Sequence, residues 1–288
     1  MRSLLLVVAV LALASAPAFA AKKMTPEELV EAHLQAIGPE AARRAIDSRE
    51  FKGHGIWRVI AGGSGQIPGP IVAVSDKQRM SMRFASQGST NHFGEHFLFD
   101  GEDAEVLRAF QNGFSGMGEF MLTNNTVLKE GLLGGVVFAN WALLDVAGRE
   151  PKLKYAGLKK QDGVELHRLD YKPRKGGGGL DVELYFEPDT FRHVRTRYAF
   201  EIPAQQATSP EASAGFQPSI IAVTEIFSNF REVDGVFLPA NWLIRYDRTN
   251  QGSQGRGSYL SELEIGFQSV SHNGPVNEEL YKLGAKVE

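Results

Sequence analysis

The sharpest chemical signal in the chain is His92-Phe93-Gly94-Glu95-His96, which matches H-x-x-E-H, an inverted zinc-peptidase motif. That chemistry needs both histidines on one helical face, one turn apart, with the glutamate beside them as base. Here Gly94 interrupts the motif, and its flanks read as loop and strand. On a strand His92 and His96 would share a face about 13 Å apart, too far for one zinc ion. No third-ligand motif follows. The chain has no cysteine, which removes disulfides, thiolate nucleophiles and Cys-based zinc sites. Gly62-Gly63-Ser64-Gly65-Gln66 fails G-x-S-x-G at its last position. The glycines at 176–179 follow no strand–helix junction, so they do not read as a phosphate cradle. Asp170, Asp181, Glu183 and Glu187 alternate with apolar residues, as solvent-facing strand positions do. No catalytic residue, metal or cofactor is expected, and a hydrolase is kept open only by His92, Glu95 and His96.

The other constellation is apolar. Trp57, Met80, Met82, Phe84, Phe97, Phe99, Leu184, Phe186, Tyr198, Phe200, Trp242, Ile244 and Tyr246 recur on alternating positions of extended segments. As a set they are candidates to line one face of a sheet and contact an apolar ligand. Met and aromatic linings adapt to variable acyl shapes, and each buried methylene contributes about 0.8 kcal/mol. The competing reading is that they pack only against the protein's own helices.

The elements that must position them are mostly strands. Thr25-Pro26-Glu27-Glu28 is a helix start, with Thr25 as N-cap, Pro26 at the first helical position and Glu28 completing a capping box. His33 on that helix reads as a packing residue. A short helix over Pro39 to Ile46 follows. Strands are expected over Phe51–Ile60, Ile71–Val74, Arg79–Phe84 and His96–Phe99. The middle differs: Ala104–Phe110 and about Gly131–Val146 lack alternation, and the second reads as an apolar helix lying on a hydrophobic surface. Strands resume over Leu153–Lys159, Val164–Tyr171, Leu180–Phe186, His193–Glu201, Ile220–Arg231, Asn241–Arg248 and Ser258–Val270. In the strand after His193, Val194, Thr196, Tyr198 and Phe200 should face one way and His193, Arg195 and Arg197 the other. The loop Ile202–Pro218 is rich in Ala, Ser, Gln and Pro, and Asn277–Leu283 suggests a short terminal helix. Ten or eleven strands at hairpin spacing imply one wide antiparallel sheet, which tends to curl.

The first residues read as a bacterial-type signal peptide. Arg2 is its basic region, Leu4–Ala14 its apolar run, and Ala18-Phe19-Ala20 its cleavage site. The run is about half the ~20 residues that span a bilayer. The expected organisation is a leader over 1–20 and a single exported, periplasmic domain over 21–288. A net charge of −3 without a long basic stretch argues against nucleic acid as a partner.

Leu180–Tyr198 (LDVELYFEPDTFRHVRTRY) and Phe227–Pro239 (FSNFREVDGVFLP) resemble two hairpins of the periplasmic outer-membrane lipoprotein-carrier (LolA/LolB-like) superfamily. Phe97–Asp103 and Gln161–Tyr171 are similar to two more. The resemblance spans roughly Phe51 to Val270. It implies an α+β, mainly β fold: a single curled antiparallel sheet forming a half-open β-barrel, covered by helices. It also implies an apolar cavity for a lipid or a lipoprotein acyl chain, loaded by opening the cover. Unloading would call for a partner protein at the inner or outer membrane. The alternative from another class is a non-enzymatic exported assembly or structural factor whose core fills itself. An unfilled apolar cavity separates the two.

Overall fold

A computed structural model describes residues 24–89, 94–107, 113–202, 219–250 and 258–282. The expected leader, His92 and most of the Ile202–Pro218 loop lie outside the described residues. Helix α1 (Pro26–Ile37) starts as its sequence dictates. The Thr25 side chain accepts from the Glu28 N–H, and the Glu28 carboxylate accepts from the Thr25 N–H. Helix α2 (Glu40–Arg44) follows.

The strands are β1 (Ser48–Ala61), β2 (Gln66–Asp76), β3 (Met80–Phe84), β4 (Glu95–Phe99), β5 (Ala104–Leu107) and β6 (Lys152–Gln161). Then come β7 (Val164–Lys172), β8 (Asp181–Phe186), β9 (His193–Ile202), β10 (Ser219–Val233), β11 (Val236–Asn250) and β12 (Ser258–His272). All join one 12-stranded antiparallel sheet in the order β5-β4-β3-β2-β1-β12-β11-β10-β9-β8-β7-β6. Apart from β5 and β6, neighbours in sequence are neighbours in space, as hairpin turns require, with the first and last strands paired at the centre.

This corrects the expected half-open barrel. The sheet is neither closed nor curled, and β5 and β6 form its two outer edges rather than a closing pair. The reason is topological. β5 and β6 follow one another in the chain yet sit at opposite edges, so the chain between them must cross the whole sheet. At about 4.8 Å between strands that is on the order of 50 Å. The crossing runs over one face, where Phe120, Met121, Leu132, Val137, Phe138 and Trp141 are buried.

The crossing segment is also not the single apolar helix expected over Gly131–Val146. It holds α3 (Gly116–Thr123), the four-residue helices α4 (Thr126–Lys129) and α5 (Val146–Arg149), and 3-10 turns at Gly135–Val137 and Ala142–Asp145. Gly131, Gly134 and Gly135 stand at φ of +64°, +75° and +50°, outside the right-handed helix. They break what composition alone makes look continuous. Ala104–Leu107 is a strand despite its lack of alternation, because it pairs with β4 as an edge. The expected C-terminal helix is a 3-10 turn, Glu278–Tyr281.

Register shifts between Lys52 and Gly53 in β1, and between Tyr185 and Phe186 in β8, bend the sheet locally. At Gly53 the β12 backbone comes so close that a Cβ would meet Gly266 O at 2.2 Å and Phe267 Cα at 2.9 Å. A Cβ on Gly266 would meet nothing within 4 Å. Gly53→Ala should therefore lose about 1–3 kcal/mol and Gly266→Ala less than about 0.5 kcal/mol, read by chemical denaturation. Equal losses would show that the close approach is not what fixes Gly53.

Candidate functional site

Register puts the whole apolar set on the covered face. Met82 lies opposite Phe97, and Met80 opposite Phe99. Phe84 pairs with Glu95. Leu184 pairs with Thr196, and Val182 with Tyr198. Phe227 lies opposite Trp242, and Val223 opposite Tyr246. Ile244 and Trp57 both flank Leu263. Phe186 and Phe200 share this side. All are buried except Trp57 and Phe200, which are half-buried against the same core.

The inverted zinc motif does not assemble. β4 places Glu95 on the covered face and His96 on the opposite one, beside Arg83. His96 Nε2 shares a hydrogen bond with the Ser81 hydroxyl at 2.6 Å. Among the described residues no group of three or more His, Cys, Asp or Glu could hold a metal ion. Asp170 and Glu183 are not simply solvated. Arg168 pairs with both, and Arg197 with Glu183, on the uncovered face. Arg195 pairs with Asp162.

His193 was expected beside Arg195 and Arg197, yet it is 1% exposed in the core. The bulge at Tyr185/Phe186 pairs it with Phe186 and turns it inward. Its ring stacks on Trp141 of the crossing segment, with centroids 4.9 Å apart. His33 completes this cluster. Its Nδ1–H donates to the Phe191 carbonyl, while Nε2 accepts from the Trp141 indole N–H, both at 3.1 Å. These partners suit a neutral ring, and burial lowers its pKa to about 4. Burial likewise holds His193 well below the usual histidine range.

Polar bonds tie the crossing segment to the sheet at a few named points. Glu225 on β10 accepts from the Gly134 N–H and the Tyr198 hydroxyl, both at 2.7 Å. The Ser75 hydroxyl accepts from the Ala139 N–H at 2.7 Å. Arg49 on β1 donates to the Val136 carbonyl. Ser115 donates to Glu95 through its hydroxyl and its N–H, and caps α3 through its bond to the Gly118 N–H. The Tyr171 hydroxyl on β7 donates to Glu130 at 2.8 Å, and the Thr126 hydroxyl donates to the Gly176 carbonyl at 2.7 Å. Between these points the buried contact is apolar.

Where α3 overlies β4, β11 and β12, a cleft of about 20 Å³ is lined by Trp57, Phe84, Glu95, Phe97, Met117, Ile244, Tyr246, Ser261 and Leu263. That is room for about one water, not for an acyl chain. Glu95 and Glu225 both sit near a pKa of about 7, raised chiefly by burial despite the donors they accept from.

Among solved structures, the chain is similar to a DUF1329 family protein from Desulfovibrio piger at 12% identity, covering 90% of this chain and 98% of that one with a TM-score of 0.47. It is also similar to a LolA superfamily protein from Nitrosomonas europaea at 12% identity, covering 90% and 98% with a TM-score of 0.44. No family model and no curated protein matches the chain.

Glu225 gives a signed pH test. Its folded pKa of about 7 lies above the ordinary 4.5, so the folded state holds this proton more tightly. The stability it contributes is fully present below about pH 4.5 and is lost as pH rises towards 7. Glu225→Gln cannot ionise. Relative to the parent it should therefore gain on the order of 3 kcal/mol between pH 4.5 and 7.5, whatever constant offset the lost acceptor adds. Denaturation midpoints that run parallel over that range would show that Glu225 ionises normally.

Proposed function

We propose that the protein is an exported, non-enzymatic binder of one apolar chain, carried by a lipid or a lipidated protein. The chain would lodge between the covered face and the crossing segment. The observation that supports this is the nature of the cover. A broad face of Met and aromatic side chains is closed by short turns rather than by a second sheet or long helices. Those turns are held by discrete polar bonds, at Glu225, Ser75, Arg49, Glu95, Tyr171 and Thr126. Such a cover can part locally without breaking the strand ladder beneath it, since short helices add little stability of their own. Parting would start at the cleft beneath α3, where the Gly116 backbone lies so close to the Tyr246 ring that a Cβ there would meet it at 2.5 Å. A partner at a membrane would receive the cargo.

The filled core favours a second reading, an exported assembly or structural factor that never opens. It would act through its surface or its sheet edges, β5 and β6, each with a strand neighbour on one side only.

Native mass spectrometry of protein purified from a periplasmic extract separates them. A stoichiometric lipid or acylated peptide that leaves on denaturation supports the binder. Hydrogen exchange should then quicken over residues 113–149 on loading with a lysophospholipid, while β10–β12 stay protected. A clean apo mass with no uptake of fatty acid or phospholipid would move the assignment to the assembly factor.

A further inference from the structure

We propose that Arg43 and Arg49 form an anion site, separate from the cleft under α3, that takes a carboxylate at the end of a short apolar chain. The site is a second small cleft, about 20 Å³, where the end of α1, α2, the start of β1, the crossing segment and the start of β11 meet. Its walls are apolar, from Ile37, Ile46, Val136 and Val236, and both arginines line it. Along β1 it lies roughly 27 Å from Trp57 in the other cleft.

Arg49 is only 5% exposed, yet among the described residues no carboxylate pairs with it. Its Nε–H donates to His272 Nε2 at 2.9 Å and its Nη1 to the Val136 carbonyl. His272 in turn gives its Nδ1–H to Asp234 at 2.8 Å, so the nearest compensating charge stands one imidazole away. The remaining donors of the guanidinium fork have no partner among the described residues. Arg43 spends its Nε–H on the Gly38 carbonyl, and among the described residues no carboxylate pairs with it either.

The surrounding acids are committed elsewhere. Glu40 pairs with Arg44, Asp47 with Lys77, and Asp145 caps α5 through the Gly148 N–H. A buried guanidinium without its counter-charge is costly, and burial alone lowers the pKa of Arg49 to about 9. The missing charge fits a planar anion, which the arginine fork binds in two parallel hydrogen bonds. The cleft has room for about one water, so one carboxylate oxygen would enter it, with the tail leaving toward solvent past the exposed Leu144.

The test is isothermal titration of the purified protein with sodium hexanoate, hexanol and inorganic phosphate at fixed ionic strength. Hexanoate should bind and hexanol should not. Arg43→Gln should weaken hexanoate by about tenfold or more with an unchanged unfolding midpoint, since Arg43 is half-exposed. Arg49→Lys keeps the charge but loses the fork, and should weaken it as well. Phosphate binding with the same loss in Arg43→Gln also supports the site, with a free anion as its ligand. The proposal fails if neither anion binds, if hexanol matches hexanoate, or if Arg43→Gln binds as the parent does. Chain binding in the cleft under α3 would be shared by hexanol and indifferent to Arg43, so the two sites fail independently.

Discussion

One connection governs this molecule: the passage from β5 to β6 across the full width of the sheet. Every other pair of consecutive strands is adjacent, so the ladder is locally determined. This one pair is not. The chain that joins it has to lie on a face, and the apolar face is where its burial stabilises most. The cover is thus part of the topology. It cannot be lost, only displaced, because both its ends are anchored in edge strands.

The cost of that arrangement is visible in what it buries. A crossing of short turns leaves backbone groups that no helix satisfies, and each must find a partner below it. Glu225 and Ser75 take N–H groups, and Arg49 takes a carbonyl. The sheet therefore carries ionisable side chains at positions where strand alternation would otherwise put hydrocarbon. The buried carboxylates among them titrate in the opposite sense to two buried histidines elsewhere. The raised Glu95 and Glu225 favour the folded state in acid. The lowered His33 and His96, each with a pKa of about 4, withdraw stability as pH falls from 6.5 towards 4.

Much of this was legible in the residues. Strict alternation gives the strands through Met80–Phe84 and Leu180–Phe186, and with them the shared face of Met80, Met82 and Phe84 and of Leu184 and Phe186. Arg49 is in phase with Phe51, and Glu225 with Val223 and Phe227, so the same alternation would have placed both inside. Residue type argues the other way, because a charge at an inward position is rare. What alternation could not give was any feature that breaks period two. The bulge before Phe186 sent His193 inward, against the phase of Arg195 and Arg197. In the run Gly131–Val146 hydrophobicity suggests one helix, whereas Gly131, Gly134 and Gly135 mark where it breaks. The half-open barrel fails for a different reason. Strand count and hairpin spacing fix the order of a meander but say nothing about whether its ends meet.

The pairing of β1 with β12 places the two halves of the chain in a fixed temporal relation. β1 to β5 and β6 to β12 are each a meander that can form from local contacts. Their junction joins residues from near the two ends of the chain, Arg49 to His272 among them. On a ribosome or a translocation channel, the central edge of β1 stays unpaired until the last strand emerges. Contacts of such sequence separation form slowly, and exposed strand edges invite pairing with other chains meanwhile. The stretch after β1 is emerged and β12 is not is the interval in which this protein is most exposed to misassembly, and in which a holding chaperone would have the most to grip.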